Sequence, residues 1–270
     1  MWWLALSGIA AAVEPRIESS LGASAWSLGL RGQFRPGFTQ HLWGADDDIL
    51  FKDTYVRALA EVSLTPSYGR VGPEIGFSPI AVLETRAQVV FSEYFGTFSS
   101  IIGFEDSDAA PTAEALQREA DLGYRDHGWG VRYSAGATLQ AQFGPVVIYT
   151  DGTLRHWSTH PGPAVRGAYF YEPEVSLVLA FEDTTFEGLG LLGYELPDAR
   201  EDRSLLFGSG TLWSFSTVAR DESLKTGLVG VYRFGGTRWQ ILGLCAPYLR
   251  DRSFTSPFPP YVAALATWVN

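Results

Sequence analysis

Cysteine and long apolar runs are both scarce in this chain of 270 residues. The single cysteine, Cys245, excludes an intrachain disulfide. No segment approaches the run of about eighteen consecutive apolar residues that indicates a transmembrane helix. Basic residues are also few, and the formal net charge of −10 removes the positive surface on which nucleic-acid binding depends. A disulfide scaffold, a helical membrane protein and a nucleic-acid-binding protein are therefore excluded.

Alternation of apolar and polar residues is the strongest pattern that the chain does contain. Residues 129–143 place Trp129, Tyr133 and Phe143 on one parity, and Arg132 and polar or small residues on the other. Side chains of a strand point to opposite faces with period two, so this run predicts a long strand with one apolar face. Aromatic residues at both ends of such a face are typical of strands that cross an outer membrane.

The same alternation recurs along the chain, so we predict an all-β fold. The count is about twelve strands, with ten or fourteen also compatible with the pattern. Long polar connections and tight turns at Gly144-Pro145 and Gly235-Gly236 separate the strands. The predicted strands are 24–34, 55–64, 70–78, 83–94, 129–143, 146–157, 169–182, 188–195, 205–215, 227–234, 237–248 and 261–269.

The N-terminal segment 1–12 is short, apolar and ends in small residues, which predicts a signal peptide. The absence of Lys or Arg before it departs from the usual signal pattern, so a short strand or anchor remains an alternative. We predict a single β-barrel domain over residues 24–270. A helix is predicted within the long connection at residues 111–122.

With these features the chain resembles a bacterial outer-membrane β-barrel. The resemblance implies a transmembrane antiparallel barrel in the outer membrane, which contacts membrane lipids and lipopolysaccharide and is folded by the barrel-assembly machinery. Trp268 lies third from the end, whereas many such barrels end on an aromatic residue. The expected function is either a small porin-like channel that admits small solutes or a structural or interaction barrel with a charged lumen. A soluble lipocalin-like barrel that binds a ligand is an alternative.

Charged residues on the polar parity are predicted to face the lumen, because a charge facing lipid costs about 2–4 kcal/mol at mid-membrane for Arg or Lys. Glu172 and Glu174 point the same way, which is a poor match to the facing carboxylates of a glycosidase and favours ion pairs with Arg132 or Arg155. The predicted lumen charges are Arg31, Arg57, Glu61, Arg70, Glu74, Glu84, Arg86, Arg132, Asp151, Arg155, Glu172, Glu174, Glu182 and Arg233.

An alternative hypothesis is that the protein is a lipid acyl hydrolase, with His156 and Ser158 as the catalytic residues. Two residues apart on a strand, they share a face as a base and a nucleophile must, and their parity is outward. Outer-membrane phospholipase A and the lipid A deacylases are similar in this placement. The phospholipase pattern requires an Asn, and the only Asn here is Asn270. The deacylase pattern requires a carboxylate on the following strand, and Glu172 lies on the other parity. A rim His and Ser beside an interface Trp is the competing interpretation, so no catalytic residue is assigned.

No metal or cofactor site is predicted. His156 and His160 would chelate a metal on one face of a helix, but residues 159–162 are typical of a loop. Asp46, Asp47 and Asp48 supply hard oxygen ligands of the kind that bind Ca²⁺, although such a run is more often a solvated loop tip.

Overall fold

A computed structural model describes residues 13–25, 29–43, 54–97, 101–198, 203–234, 239–252 and 260–269. Within this part of the chain, no helix is both long enough and apolar enough to cross a membrane. Nearly all of the regular structure is β. The sixteen strands are β1 (Val13–Ala25), β2 (Gly29–His41), β3 (Tyr55–Leu64), β4 (Tyr68–Ile80), β5 (Leu83–Phe95), β6 (Gly103–Phe104), β7 (His127–Phe143), β8 (Val146–Pro161), β9 (Tyr169–Glu172), β10 (Leu177–Ala180), β11 (Glu182–Asp198), β12 (Arg203–Ser216), β13 (Glu222–Arg233), β14 (Trp239–Ala246), β15 (Tyr248–Arg250) and β16 (Tyr261–Val269).

Twelve of these strands form one closed antiparallel barrel. Each pairs with its neighbours along the chain, in the order β1, β2, β3, β4, β5, β7, β8, β11, β12, β13, β14 and β16. The last strand, β16, pairs with β1, so that the sheet closes on itself. The short β15 continues the edge of β14 along β13. Closure leaves no unpaired edge among the wall strands, which is the condition for a sheet to cross a lipid bilayer.

The outer surface of the barrel is apolar and is bounded by two aromatic girdles. Large apolar side chains that a soluble protein would bury are exposed on it, such as Ile75, Leu139 and Leu154. The lower girdle contains Phe38, Phe77, Phe143, Tyr194, Phe207 and Trp239. The upper girdle contains Phe91, Phe95, Trp129, Tyr133, Trp213 and Phe215. This surface is that of a membrane-spanning barrel, and it confirms the predicted fold and orientation of residues 129–143.

The two rims of the barrel differ in their connections. At the lower rim, residues 81–82 and 144–145 form two-residue turns, and Gly144 adopts a positive φ of 58° that favours glycine. At the upper rim, the connections from β5 to β7 and from β8 to β11 are long and contain β6, β9 and β10. The lower rim also has one long connection, from β2 to β3, of which the structure describes residues 42, 43 and 54. Long loops face the cell exterior in bacterial barrels, so the upper rim is the extracellular one.

The predicted strand 24–34 is wrong, because the chain reverses inside it. Ser24 pairs with Gly29 across the junction of β1 and β2. Strand β1, from residue 13, is therefore part of the barrel wall. It was not predicted because Pro15 and Ser19 interrupt the apolar pattern of its outward face. Segment 1–12 and residues 26–28 lie outside the described residues, as do Gly235 and Gly236.

The predicted wall strand 169–182 is also wrong. It folds as the hairpin β9–β10, which lies inside the lumen, and only Glu182 belongs to the wall as the first residue of β11. Pro173 marks the error, because proline is confined to edges and turns of sheets. The predicted count of twelve wall strands was right because β1, which was not predicted, offset the wrongly predicted wall strand 169–182. The helix predicted at 111–122 forms as α1 (Ala113–Asp121), with Thr112 as its N-cap.

Candidate functional site: a sealed lumen

The β9–β10 hairpin closes the upper half of the lumen with an apolar core. Phe170, Leu177 and Leu179 on the hairpin are fully buried, although they belong to a long rim connection. They pack against Trp157 and Tyr94, which point inward from the wall. Burial of a large apolar side chain contributes about 1.5–3 kcal/mol, so this contact holds the hairpin firmly in place.

Glu174, at the turn of the hairpin, is the centre of an ion-pair network that crosses the lumen. Its carboxylate lies 3.2 Å from Arg31 on β2 and 3.2 Å from Arg132 on β7, and it also pairs with Arg70 on β4. Arg70 is completely buried and also lies 3.4 Å from the buried Glu172. One carboxylate therefore joins the hairpin to three separate wall strands.

The opposite side of the hairpin turn is fixed by hydrogen bonds from the other half of the wall. Ser214 on β12 donates to the carbonyl oxygen of Val175 at 2.8 Å. Lys225 on β13 donates to the hydroxyl of Ser176, also at 2.8 Å. Ser176 has a φ of 55°, a left-handed conformation that is unusual for a residue with a side chain. The turn is thus held by ion pairs from one side of the barrel and by hydrogen bonds from the other.

Two rim carboxylates anchor the second strand of the hairpin. Asp183 is buried and accepts hydrogen bonds from the amide of Ala180 at 3.0 Å and from the hydroxyl of Ser216 at 2.7 Å. Asp221 accepts one from the amide of Val178 at 2.7 Å. Burial raises the pKa of the Asp221 carboxyl, against the hydrogen bond from Val178. Both carboxylates tie the hairpin to residues 217–221 at the extracellular rim.

A small cap lies above the hairpin. Strand β6 pairs with β9 and extends the inner sheet to three strands. The helix α1 covers this sheet, with Leu116 and Ala120 packed against Ile102, Phe104 and Tyr171. The extracellular end of the lumen is therefore covered by a folded layer.

Below the hairpin, the lumen is polar and opens at the lower rim. Ion pairs join the wall strands, as in the double contact of Arg86 on β5 with Asp151 on β8 at 2.6 and 2.8 Å, which spans the intervening β7. Beneath them lies a cavity of about 320 Å³, whose lining includes Thr39, His41 and Tyr55. The buried hydroxyl of Thr39 forms no hydrogen bond to the described residues. The lower half is thus a polar vestibule that ends at the hairpin.

The predicted lumen charges are largely confirmed on the wall strands. The confirmed residues, which form ion pairs inside the barrel, are Arg31, Arg57, Glu61, Arg70, Glu74, Glu84, Arg86, Arg132, Asp151 and Arg155.

The other four predicted lumen charges need comment. Glu172 and Glu174 lie in the lumen, but on the hairpin rather than on the wall. Glu174 pairs with Arg132 as predicted, whereas Arg155 pairs with Glu187. Arg233 reaches solvent at the lower rim, where 61% of its side chain is exposed. The prediction for Glu182 is wrong: it pairs in register with Ser158 and faces outward. Three residues that were not predicted also form ion pairs in the lumen: Glu187, Arg35 and Glu18. They lie on the polar parity of β11, β2 and β1, which is the sequence pattern that could have identified them.

His156 and Ser158 face outward from β8, as their parity predicts. They lie at the upper girdle, where His156 neighbours Tyr133 and Ser158 neighbours Val131 in the strand register. The predicted loop at 159–162 is wrong up to Pro161, because β8 continues to that residue, which pairs with Gly128. His160 therefore shares the outward face of His156. Asp46, Asp47 and Asp48 lie outside the described residues.

No protein-family model matches the chain, and no curated protein matches it. Among solved structures, the chain is similar to the beta domain of the Bordetella autotransporter BrkA, with a TM-score of 0.49, 11% identity, and coverage of 95% of this chain and 99% of that one. It is also similar to the translocator domain of the autotransporter NalP from Neisseria meningitidis, with a TM-score of 0.38, 12% identity, and coverage of 95% and 86%. These distant likenesses carry no inference about activity.

The closed wall, the exposed apolar band and the two aromatic girdles identify an outer-membrane β-barrel on their own. An even number of antiparallel strands, short turns at one rim and longer loops at the other are the pattern of barrels in the bacterial outer membrane. A soluble barrel has a polar exterior, whereas this barrel is apolar outside and charged inside. The structure therefore gives no support to the lipocalin-like alternative.

Proposed function

We propose that this protein is a plugged structural or interaction barrel, and that it does not conduct ions in its resting state. The observation that carries the proposal is the attachment of Glu174 to Arg31, Arg70 and Arg132 on three wall strands. An open porin needs a continuous water-filled lumen. The buried apolar core around Phe170 and Leu177 interrupts such a path.

Removal of the hairpin provides the direct test. The amide of Phe181 donates to the carbonyl oxygen of Ala168 at 3.4 Å, so the two ends of the hairpin already lie side by side. Residues 169–180 can therefore be replaced by a short Gly-Ser turn without displacing β8 or β11. The intact protein is expected to give almost no ion conductance in a planar bilayer, whereas the deletion variant is expected to give steady open channels.

The control for this deletion is loss of the cap helix. Replacing α1 (Ala113–Asp121) by a Gly-Ser linker removes a rim element but leaves the hairpin in the lumen, so this variant is expected to stay silent. Heat-modifiable gel migration shows whether each barrel has folded. Steady conductance of the intact barrel, or a folded hairpin deletion that remains silent, would contradict the proposal.

Membrane lipids and lipopolysaccharide are the partners that we propose for the apolar outer surface, and the barrel-assembly machinery is proposed for folding. The vestibule at the lower rim offers a small polar solute a blind site lined by His41, Tyr55 and Glu84. Because this vestibule ends at the hairpin, the proposal includes solute entry from the lower rim but not passage across the membrane.

A further inference from the structure

The outward face of β8 and β11 carries a polar cluster that the sealed lumen does not use. Ser158 donates a hydrogen bond to Glu182 Oε1 at 2.5 Å. The Nε2 atom of His160 lies 3.5 Å from the same Ser158 hydroxyl. The serine hydroxyl therefore donates to a carboxylate and also has an imidazole nitrogen beside it. A hydroxyl, an imidazole and a carboxylate are the types of group that nucleophilic catalysis by serine uses.

A second imidazole lies on the other side of the carboxylate. His156 Nε2 is 3.5 Å from Glu182 Oε2. Its Nδ1 atom lies 3.1 Å from the hydroxyl of Thr184, which fixes the plane of the ring. Glu182 thus lies between the serine hydroxyl and an oriented imidazole. The sequence pattern of His156 and Ser158 identified part of this cluster, and the strand register adds Glu182 and His160.

The cluster lies at the height where ester groups of membrane lipids are found. Below it on the same outward face are Val146, Ile148 and Leu154, which belong to the apolar band. The ring of His160 stacks on Trp129, a residue of the upper girdle, at a centroid distance of 4.0 Å. Girdle residues mark the boundary between hydrocarbon and headgroups, so the Ser158 hydroxyl faces the interfacial layer of the outer leaflet.

Half of the His156 side chain and 60% of the Glu182 side chain are exposed on this surface. Polar groups on the lipid face of a barrel are unfavourable unless they lie near an interface. Among the described residues, their hydrogen bonds and ion pairs join members of this outward cluster and not the ion-pair network of the lumen. Their position thus gives a lipid molecule direct access to the serine without passage through the barrel.

We propose that Ser158, His160 and Glu182 form a site that hydrolyses fatty-acyl esters of outer-leaflet lipids. Ser158 Oγ forms a bond to the ester carbonyl carbon while its proton passes to His160 Nε2. The proton then goes to the leaving alkoxide as the ester C–O bond breaks, which leaves an acyl-serine. A water molecule, whose proton passes to His160 Nε2, then attacks the acyl carbon. The proton moves on to Ser158 Oγ as the bond between the acyl carbon and Oγ breaks, which releases the fatty acid and restores the serine hydroxyl. Glu182 supplies the negative charge of the cluster, which offsets the transient positive charge of His160, and the contact with His156 at 3.5 Å holds Glu182 in place.

A fluorophosphonate probe tests the nucleophile in the full-length barrel folded in detergent. The intact protein is expected to be labelled covalently, and Ser158→Ala is expected to lose the label. Ser209 is a matched control, because it also faces outward but its register partner is Leu192 rather than an acidic residue. Ser209→Ala is expected to keep the full label. Absence of labelling in the intact protein, or equal labelling of Ser158→Ala, would overturn the proposal.

Release of fatty acid tests the base and the substrate. His160→Ala and His160→Gln are expected to lower the rate by roughly 10²–10⁴-fold, the usual contribution of a general base. Full activity in both folded variants would overturn the role of His160. Release from phosphatidylethanolamine vesicles would assign a phospholipid ester, and release from lipopolysaccharide a lipid A ester. Release from neither would overturn the proposal, whatever the conductance of the barrel.

Discussion

At the scale of single residues, the contacts of Glu174 make it the most consequential carboxylate of the hairpin. Among the described residues, replacement by alanine leaves Arg70 buried with Glu172, at 3.4 Å, as its one ion-pair partner. Removing one partner of a buried ion pair costs about 3–5 kcal/mol. We therefore expect Glu174→Ala to lower the free energy of unfolding by that amount in urea titrations of the folded barrel. Intermittent channel openings in planar bilayers are expected as well.

The matched control for this substitution is Glu187→Ala. Glu187 pairs with Arg155 between β11 and β8, which are already adjacent in the wall, and it also accepts a hydrogen bond from Thr185 of β11 rather than from the hairpin. A loss of stability without channel openings is therefore expected. If Glu187→Ala opened the barrel as often as Glu174→Ala, a general loosening of the wall would explain both results.

Asp126, at the extracellular rim, gives a pH-dependent prediction. Backbone amides of Ala164, at 3.0 Å, and His127, at 2.8 Å, donate to its carboxylate and lower the pKa of Asp126 from its ordinary value of 3.8. The stabilising contact is thus complete at neutral pH and is lost as the pH falls below 3.8 and through the lowered pKa.

The amide NMR shift of Ala164 reports this titration. Its midpoint is expected below 3.8, and Asp126→Asn is expected to abolish the pH dependence, because the amide side chain does not ionise. A midpoint at or above 3.8 would show that the hydrogen bonds do not favour the carboxylate.

At the scale of secondary structure, the sequence predicted strands well where one face met lipid and the other met polar groups. Strand β7 follows this rule closely, and β3 begins and ends where predicted. The rule failed for β9 and β10, because a hairpin surrounded by the wall is buried on both faces. No pattern along a single strand could place Glu182 beside Ser158, since that contact depends on the register between β8 and β11.

The apolar face of β7 gives a prediction that depends on depth in the membrane. Ala137 faces lipid midway between Tyr133 and Phe143 of the two girdles. Ala137→Arg is expected to cost about 2–4 kcal/mol, whereas Phe143→Arg at the lower girdle is expected to cost about 0–1 kcal/mol from the charge itself. Urea titration in phospholipid vesicles measures both. Equal costs at the two positions would contradict the proposed position of the membrane.

At the scale of the whole molecule, the barrel is apolar outside and charged inside, and its lumen is occupied by its own chain. Neighbouring wall strands are joined by ion pairs, and the hairpin adds contacts between strands far apart in the sheet, such as β2 and β7 through Glu174. Those contacts brace the wall across its diameter. The hairpin therefore both seals the lumen and resists deformation of the barrel, and these two effects can be separated by comparing conductance with stability.

Closure of the wall is a property of the whole chain, and a cross-link between β1 and β16 tests it. Ala23 pairs in register with Ala264, whereas Leu21 pairs with Ala266. Because paired residues on adjacent strands bring their Cβ atoms to about 4.5–5.5 Å, cysteines at 23 and 264 are expected to form a disulfide readily in a Cys245→Ser background. The mismatched combination of cysteines at 23 and 266 is expected to cross-link poorly. Since the link nearly circularises the chain, it changes the migration of the denatured protein on a gel. Preferential cross-linking of the mismatched pair would mean that the barrel closes in a different register, with every lumen and lipid-facing contact of β16 shifted accordingly.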